Sequence, residues 1–152
     1  MIDDKSIYVE EAIQHFKIGY NCAQSVLLTL QKFWNVEFPL EPKVVSTFGG
    51  GIGRRGSVCG ALTGGVTAIG VKYGANKPVS ADRELGYLLT LKFYNQFEEK
   101  CGGVTCRELI GYDLTNEKEF KRAKDSDVFN EKCVNFIKNA VEILLDLNEK
   151  LK

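Results

Sequence analysis

Apolar residues recur three to four positions apart along most of the chain, in blocks cut by glycine, proline and charged runs. Ile7, Ala12, Ile13 and Phe16 put one apolar stripe on residues 6–18, which predicts an amphipathic helix ended by Gly19. "NCAQSVLLTLQKFW" follows, with Asn21 the expected N-cap and Val26, Leu27, Leu30 and Phe33 a broad apolar face. "FPLEP" breaks that helix, and a short helical piece over 43–48 leads into a glycine-rich loop. Ser57 is expected to cap the next helix, which runs to Tyr73 and stops at Gly74. Ser80 is expected to cap a long one, "ADRELGYLLTLKFYNQFEEK", ending at Gly102 and Gly103. "TCREL" opens a further turn as a capping box, with Thr105 answered by Glu108 three positions on. The charged stretch "NEKEFKRAKDSD" reads as a polar connection. A last helix from about Asn130 carries Phe136, Ile137, Val141, Leu144 and Leu145 on one face. The pattern predicts an all-α, single-domain bundle of about six helices over residues 1–152.

Composition narrows the partners. The chain has 152 residues, 44% of them hydrophobic and 26% charged, enough for a core that needs no disulfide or metal to hold it. Twenty basic and twenty acidic residues cancel, so no global field favours nucleic acid or an anionic membrane. "MIDDKSIYVEEAIQHF" has no apolar core of a secretory signal, and the weakly polar run 57–71 is short for a span and rich in Gly and Thr. A cytoplasmic protein without membrane insertion is expected. Its five cysteines are an odd count, and a reducing compartment argues against a disulfide framework. Such thiols are buried small hydrophobes, metal ligands or redox groups.

One cysteine stands out. "GGGIGRRGSVCGALTGGVTAIG" sets Cys59 between an arginine-bearing glycine loop and a run of small residues. "GIGRRG" matches the dinucleotide pattern GxGxxG, yet position 76 is Asn where that fingerprint needs an acid, and no second strand follows. No GK[ST] follows either, so a phosphate loop is not expected. The small residues after Cys59 suit close helix packing, and the segment 60–70 offers a seam for a homodimer. The arginines suit a different purpose. With Ser57 as cap, Cys59 falls in the first helical turn, where free N–H groups, the helix dipole and nearby Arg54 and Arg55 all favour a thiolate. Arg54 is the expected support of that thiolate, and Arg55 the weaker one.

Cys22 follows the expected cap Asn21, Cys106 follows Thr105, and Cys133 comes three after Asn130, so four of the five cysteines fall in the first turn of a predicted helix. None forms a CxxC, and "CGGVTC" is the one close pair. His15 lies on a charged helix beside Glu10 and Glu11 and is expected to face solvent, which leaves hydrolytic chemistry without a base.

The segment Cys59-Gly60-Ala61-Leu62-Thr63-Gly64 resembles the CGAxxG motif of a family of small redox-active proteins usually called C_GCAxxG_C_C. "GYNCAQSVL" is similar to the family's first cysteine segment, "CRELIGYD" to its third, and Cys133 matches the fourth by position. The resemblance implies four functional cysteines, Cys22, Cys59, Cys106 and Cys133, and leaves Cys101 outside the pattern. It also implies redox chemistry, since some members look like selenoproteins, or an iron–sulfur cluster, through a related domain of a multihaem cytochrome. The leading expectation is thiol/disulfide redox chemistry or electron transfer with an unidentified redox partner. Cys59 would be the most activated thiol, with Cys22, Cys106 and Cys133 resolving it. The alternatives are an iron–sulfur cluster or other metal ion on the same four sulfurs, and a non-catalytic helical interaction module.

Overall fold

A computed structural model describes residues 4–151; the ends of the expected 1–152 domain, residues 1–3 and 152, lie outside the described residues. Its helices are α1 (Asp4–Lys17), α2 (Cys22–Phe33), α3 (Gly49–Ile52), α4 (Gly60–Tyr73), α5 (Glu84–Cys101), α6 (Cys106–Ile110), α7 (Glu117–Asp125) and α8 (Val134–Glu149). The protein is all-helical, with eight helices among the described residues rather than about six. An isolated antiparallel bridge, Val58 with Thr105, is the sole β pairing there. None of the described helices is long and apolar enough to cross a membrane.

α4 is the hub. Gly60, Ala61, Leu62, Gly64, Gly65, Ala68 and Ile69 are buried on several of its sides, against α2, α5 and α8. A helix apolar all round belongs inside a fold, and the buried small residues of 60–70, the segment expected to offer a homodimer seam, pack against this chain's own helices. α8 contributes the expected face, with Ile137, Val141, Leu144 and Leu145 buried at its centre, and α5 adds Phe93 and Phe97, packed edge to face at 6.2 Å. α1 covers α2 and α8 through Val9 and Ala12; Ile7, expected in its stripe, is exposed.

Several local expectations change. Ser57 does not cap α4. Cys59 holds the N-cap position without a side-chain cap bond, because the residues before it are drawn into the bridge. Ser80 begins a 3₁₀ turn, Ser80–Arg83, and α5 starts only at Glu84. The expected polar connection contains α7, capped by the Asn116 side chain on the Glu119 amide at 3.0 Å. Acidic residues at its start and basic ones at its end suit the helix dipole. His15 does not face solvent freely; it lies 3.6 Å from Glu11 and edge-on to Tyr20, half-buried.

The glycine loop is a left-handed turn. Gly50, Gly51, Ile52, Gly53 and Arg54 all have φ between 57° and 73°. Three glycines adopt this conformation at little cost, whereas Ile52 and Arg54 carry the strain of an L-residue there.

Candidate functional site: a cavity lined by four cysteines

Local capping fixes two of the cysteines. Asn21 accepts from the Gln24 amide at 3.0 Å while Gln24 Oε1 accepts from the Asn21 amide at 3.1 Å, so Cys22 is the first residue of α2. Thr105 and Glu108 repeat the arrangement, and Cys106 is the first residue of α6. Glu108 also accepts from the Val104 amide at 2.8 Å, and these backbone bonds hold its carboxyl below the ordinary value.

Long-range pairing fixes the third. The Cys59 amide donates to Val104 at 2.8 Å, and the Cys106 amide donates to Ser57 at 2.7 Å, on either side of the Val58–Thr105 bridge. Cys59 and Cys106 therefore enter the site from adjoining strands of backbone. Gly51 makes room for that closure: at φ +66° it lies against Ser57 and the Cys106 Cβ, with no space for a side chain. Gly60 does the same for Cys22, whose Cβ would stand 3.1 Å from a Cβ on Gly60. The fourth, Cys133, ends a π-helical turn, Phe129–Cys133, that runs straight into α8. Its helix start is not a free one, unlike those of Cys22 and Cys106.

All four meet at one enclosed cavity of about 40 Å³. Leu109, Ile110, Phe129 and Phe136 supply the apolar part of its wall. That volume admits a few water-sized atoms and no organic substrate. Cys59, Cys106 and Cys133 are buried, Cys22 is half-buried, and all are thiols. Of the groups around Cys22, the Cys133 thiol acts on it most strongly.

The electrostatics reverse the expected activation of Cys59. The amides of Ala61 and Leu62, at the open end of α4, do lower its pKa, but burial raises it by more, and the Cys22 and Cys106 thiols add to the rise. Cys59 is thus held well above the ordinary thiol value. Burial likewise pushes Cys106 up to about 11, with the Cys22 thiol second in effect. Cys22 is raised chiefly by the neighbouring Cys133 thiol, then by burial. Both arginines are placed elsewhere. The Arg54 guanidinium lies over the Phe120 ring, 4.5 Å from its centroid, and Arg55 lines a separate groove with Ser57 and Arg107.

Four soft sulfur donors suit zinc, copper(I) or iron–sulfur chemistry. Among the described residues, however, no three His, Cys, Asp or Glu side chains are placed to hold one metal ion. The sulfurs share a cavity without converging on a point, so the present arrangement does not fit a metal or cluster.

Cys101 stands apart. It ends α5, outside the cavity, and its sulfur is 3.5 Å from the Asn139 amide nitrogen that donates to it. Sequence reasoning passed over Phe129, Phe136, Gly50 and Gly51 as parts of the site. The spacing of Phe129, Cys133 and Phe136 was the available signal for the first two.

A family model described as "Putative redox-active protein (C_GCAxxG_C_C)" matches residues 20–147, a span that takes in all four cavity cysteines. The chain belongs to the C_GCAxxG_C_C family. No curated protein and no solved structure matches it. In this C_GCAxxG_C_C member the motif glycines Gly60 and Gly64 have a physical purpose, since both sit where α4 meets the start of α2.

Proposed function

We propose that this protein carries out thiol–disulfide redox chemistry, with Cys22 and Cys133 as the exchanging pair. The observation that carries the reading is the meeting of four cysteines, and of no other polar side chain, at one cavity, where the Cys133 thiol is the group acting most strongly on Cys22. Oxidation removes one proton from each thiol, forms the sulfur–sulfur bond and passes two electrons to an acceptor. Cys59 and Cys106, brought together by the Val58–Thr105 bridge, are the second dithiol. Raised pKa values at Cys22, Cys59 and Cys106 keep those thiols neutral and slow to react with bulk oxidants. This favours selective exchange with a partner over indiscriminate oxidation. The odd count of free thiols suits a reducing compartment, and we place the protein in the cytoplasm.

The second reading, a metal ion or iron–sulfur cluster on Cys22, Cys59, Cys106 and Cys133, draws support from the shared cavity and requires the sulfurs to move together on loading.

The test is an anaerobic titration in dithiothreitol redox buffers, quenched with an alkylating agent and mapped by mass spectrometry. A two-electron transition should appear, assigned to Cys22–Cys133 and absent from Cys22→Ser and Cys133→Ser. Five free thiols at every potential would refute this reading. Stoichiometric metal in anaerobically purified protein, lost on the same substitutions, would establish the second.

A further inference from the structure

Outside the cysteine cavity lies an open groove of about 430 Å³, within the size range of small-ligand sites. Gly50 and Phe129 line both spaces, so the two share a wall. Asn21, the residue before the half-buried Cys22, lines the groove as well. The cavity itself is too small for a substrate, and this groove is the space of substrate size that adjoins it.

The groove's charge is defined by Arg54. Its guanidinium is stacked on Phe120 and makes no ion pair among the described residues. Lys124 approaches the same ring, with Nζ 4.6 Å from its centroid. The left-handed φ of +73° at Arg54 is an unfavourable conformation for an L-residue, held by the turn around it. That turn brings the guanidinium fork, the geometry that best matches a carboxylate, to the groove. Gly50 keeps the shared wall thin: a Cβ there would stand 3.0 Å from the Arg54 Cγ and 3.5 Å from the Leu114 Cδ1.

We propose that this groove binds a small disulfide bearing a carboxylate, with the carboxylate on Arg54 and the sulfurs directed past Gly50 and Phe129 toward Cys22 and Cys133. The inference rests on the thiol–disulfide reading above and supplies its substrate class. In the first step the Cys22 sulfur, losing its proton, attacks one sulfur of R–S–S–R and displaces R–S⁻, which takes up a proton. The Cys133 sulfur then attacks Cys22 in the mixed disulfide and displaces the second R–S⁻, which takes up the proton Cys133 gives up. Two protein thiols and one small disulfide become one protein disulfide and two small thiols, a two-electron transfer.

The experiment measures the rate of Cys22–Cys133 bond formation in fully reduced protein with three probes: oxidised glutathione, neutral 2-hydroxyethyl disulfide and cationic cystamine. Each rate is divided by that of a free cysteine peptide with the same probe. The protein should favour oxidised glutathione over the neutral probe by roughly tenfold beyond the peptide, and disfavour cystamine, with the preference shrinking as salt rises. Arg54→Gly suits the left-handed backbone and should abolish the preference, Arg54→Lys should retain part of it, and Arg55→Ala should leave it intact. Thermal midpoints verify that each variant is folded. A wild-type ratio equal to the peptide's, or a preference that survives Arg54→Gly, overturns the groove assignment while leaving the exchange chemistry standing. If no probe produces the Cys22–Cys133 bond, the thiol–disulfide reading itself fails.

Discussion

Gly64 and Ala23 bring α4 and α2 together backbone to backbone: a Cβ built on Gly64 would stand 2.5 Å from the Ala23 carbonyl oxygen. That oxygen belongs to the residue after Cys22, so the same approach that packs the helices seats the thiol. Gly64→Ala should lower unfolding free energy by about 1–3 kcal/mol, the usual cost of an extra carbon in a full space. Gly70 lies in the same helix with nothing within 4 Å of its would-be Cβ. Gly70→Ala should raise stability by about 0.5–1 kcal/mol through helix propensity alone. Denaturant midpoints compare the two. Equal effects would mean that the Gly64 contact is not a constraint on the fold.

The raised thiols make stability depend on alkaline pH. Cys106 is pushed up to about 11 by burial and by the Cys22 thiol, whereas an unfolded thiol titrates near 8.5. Below about 8.5 both states hold the proton and nothing changes. Between about 8.5 and 11 the unfolded chain has lost the proton and the folded one keeps it, so stability falls as pH rises, by up to about 1.4 kcal/mol per pH unit for each such thiol. Urea unfolding of reduced protein across that window should show the decline, and Cys106→Ala should make it shallower by the share of one thiol while Cys22 and Cys59 sustain the rest. A slope identical in wild type and variant would contradict the burial of this thiol.

The features legible in the sequence are the short-range ones. Asn21 with Gln24 and Thr105 with Glu108 act within one turn, and each is a cap in the fold. The four cysteines expected to share one neighbourhood do line one cavity, although only Cys22 and Cys106 open a helix. Ser57 failed as a cap because its carbonyl is committed to the Cys106 amide, 49 residues away, a pairing that no local pattern carries. α7 was hidden because only Ala123 is buried on a helix that is otherwise charged and polar. The left-handed turn was hidden too, since Ile52 and Arg54 adopt a backbone conformation that their side chains disfavour. Reading the arginines as activators of Cys59 failed for a related reason: sequence nearness says nothing about the direction of a guanidinium, and burial outweighs the helix dipole once α4 closes against its neighbours.

Cys101 is expected to be dispensable for the site. Its sulfur meets Asn139 at the end of α5 and takes no part in the cavity. Cys101→Ser should change stability by less than about 1 kcal/mol, the scale of one weak hydrogen bond. It should also leave the redox midpoint and the mapped disulfide unaltered. Loss of the two-electron transition in this variant would move the working pair to "CGGVTC".

Gly51 ties the strained turn to the cysteines, and two neighbouring substitutions separate its two constraints. Both Gly51 and Gly53 have left-handed φ, +66° and +57°. An alanine at either therefore carries a backbone cost of about 1–2 kcal/mol. Only Gly51 is also crowded, since its Cβ would stand 2.5 Å from the Ser57 oxygen and 2.8 Å from the Cys106 Cβ. At Gly53 the nearest atom is the Thr47 oxygen, at 3.9 Å. The Ser57 oxygen accepts the Cys106 amide, so a methyl group at 51 must push apart the pairing that seats Cys106 beside Cys59. Gly51→Ala should then cost about 1–3 kcal/mol more than Gly53→Ala, the usual scale of overpacking. It should also loosen the cavity, so that Cys106 loses burial and is alkylated faster at neutral pH in whatever protein remains folded. Gly53→Ala should leave that rate at the wild-type value. Paired thermal unfolding and quenched iodoacetamide labelling read both quantities on the same samples. If the two variants lose equal stability and Cys106 labels at one rate in both, the turn restrains only its own backbone and does not position the thiol.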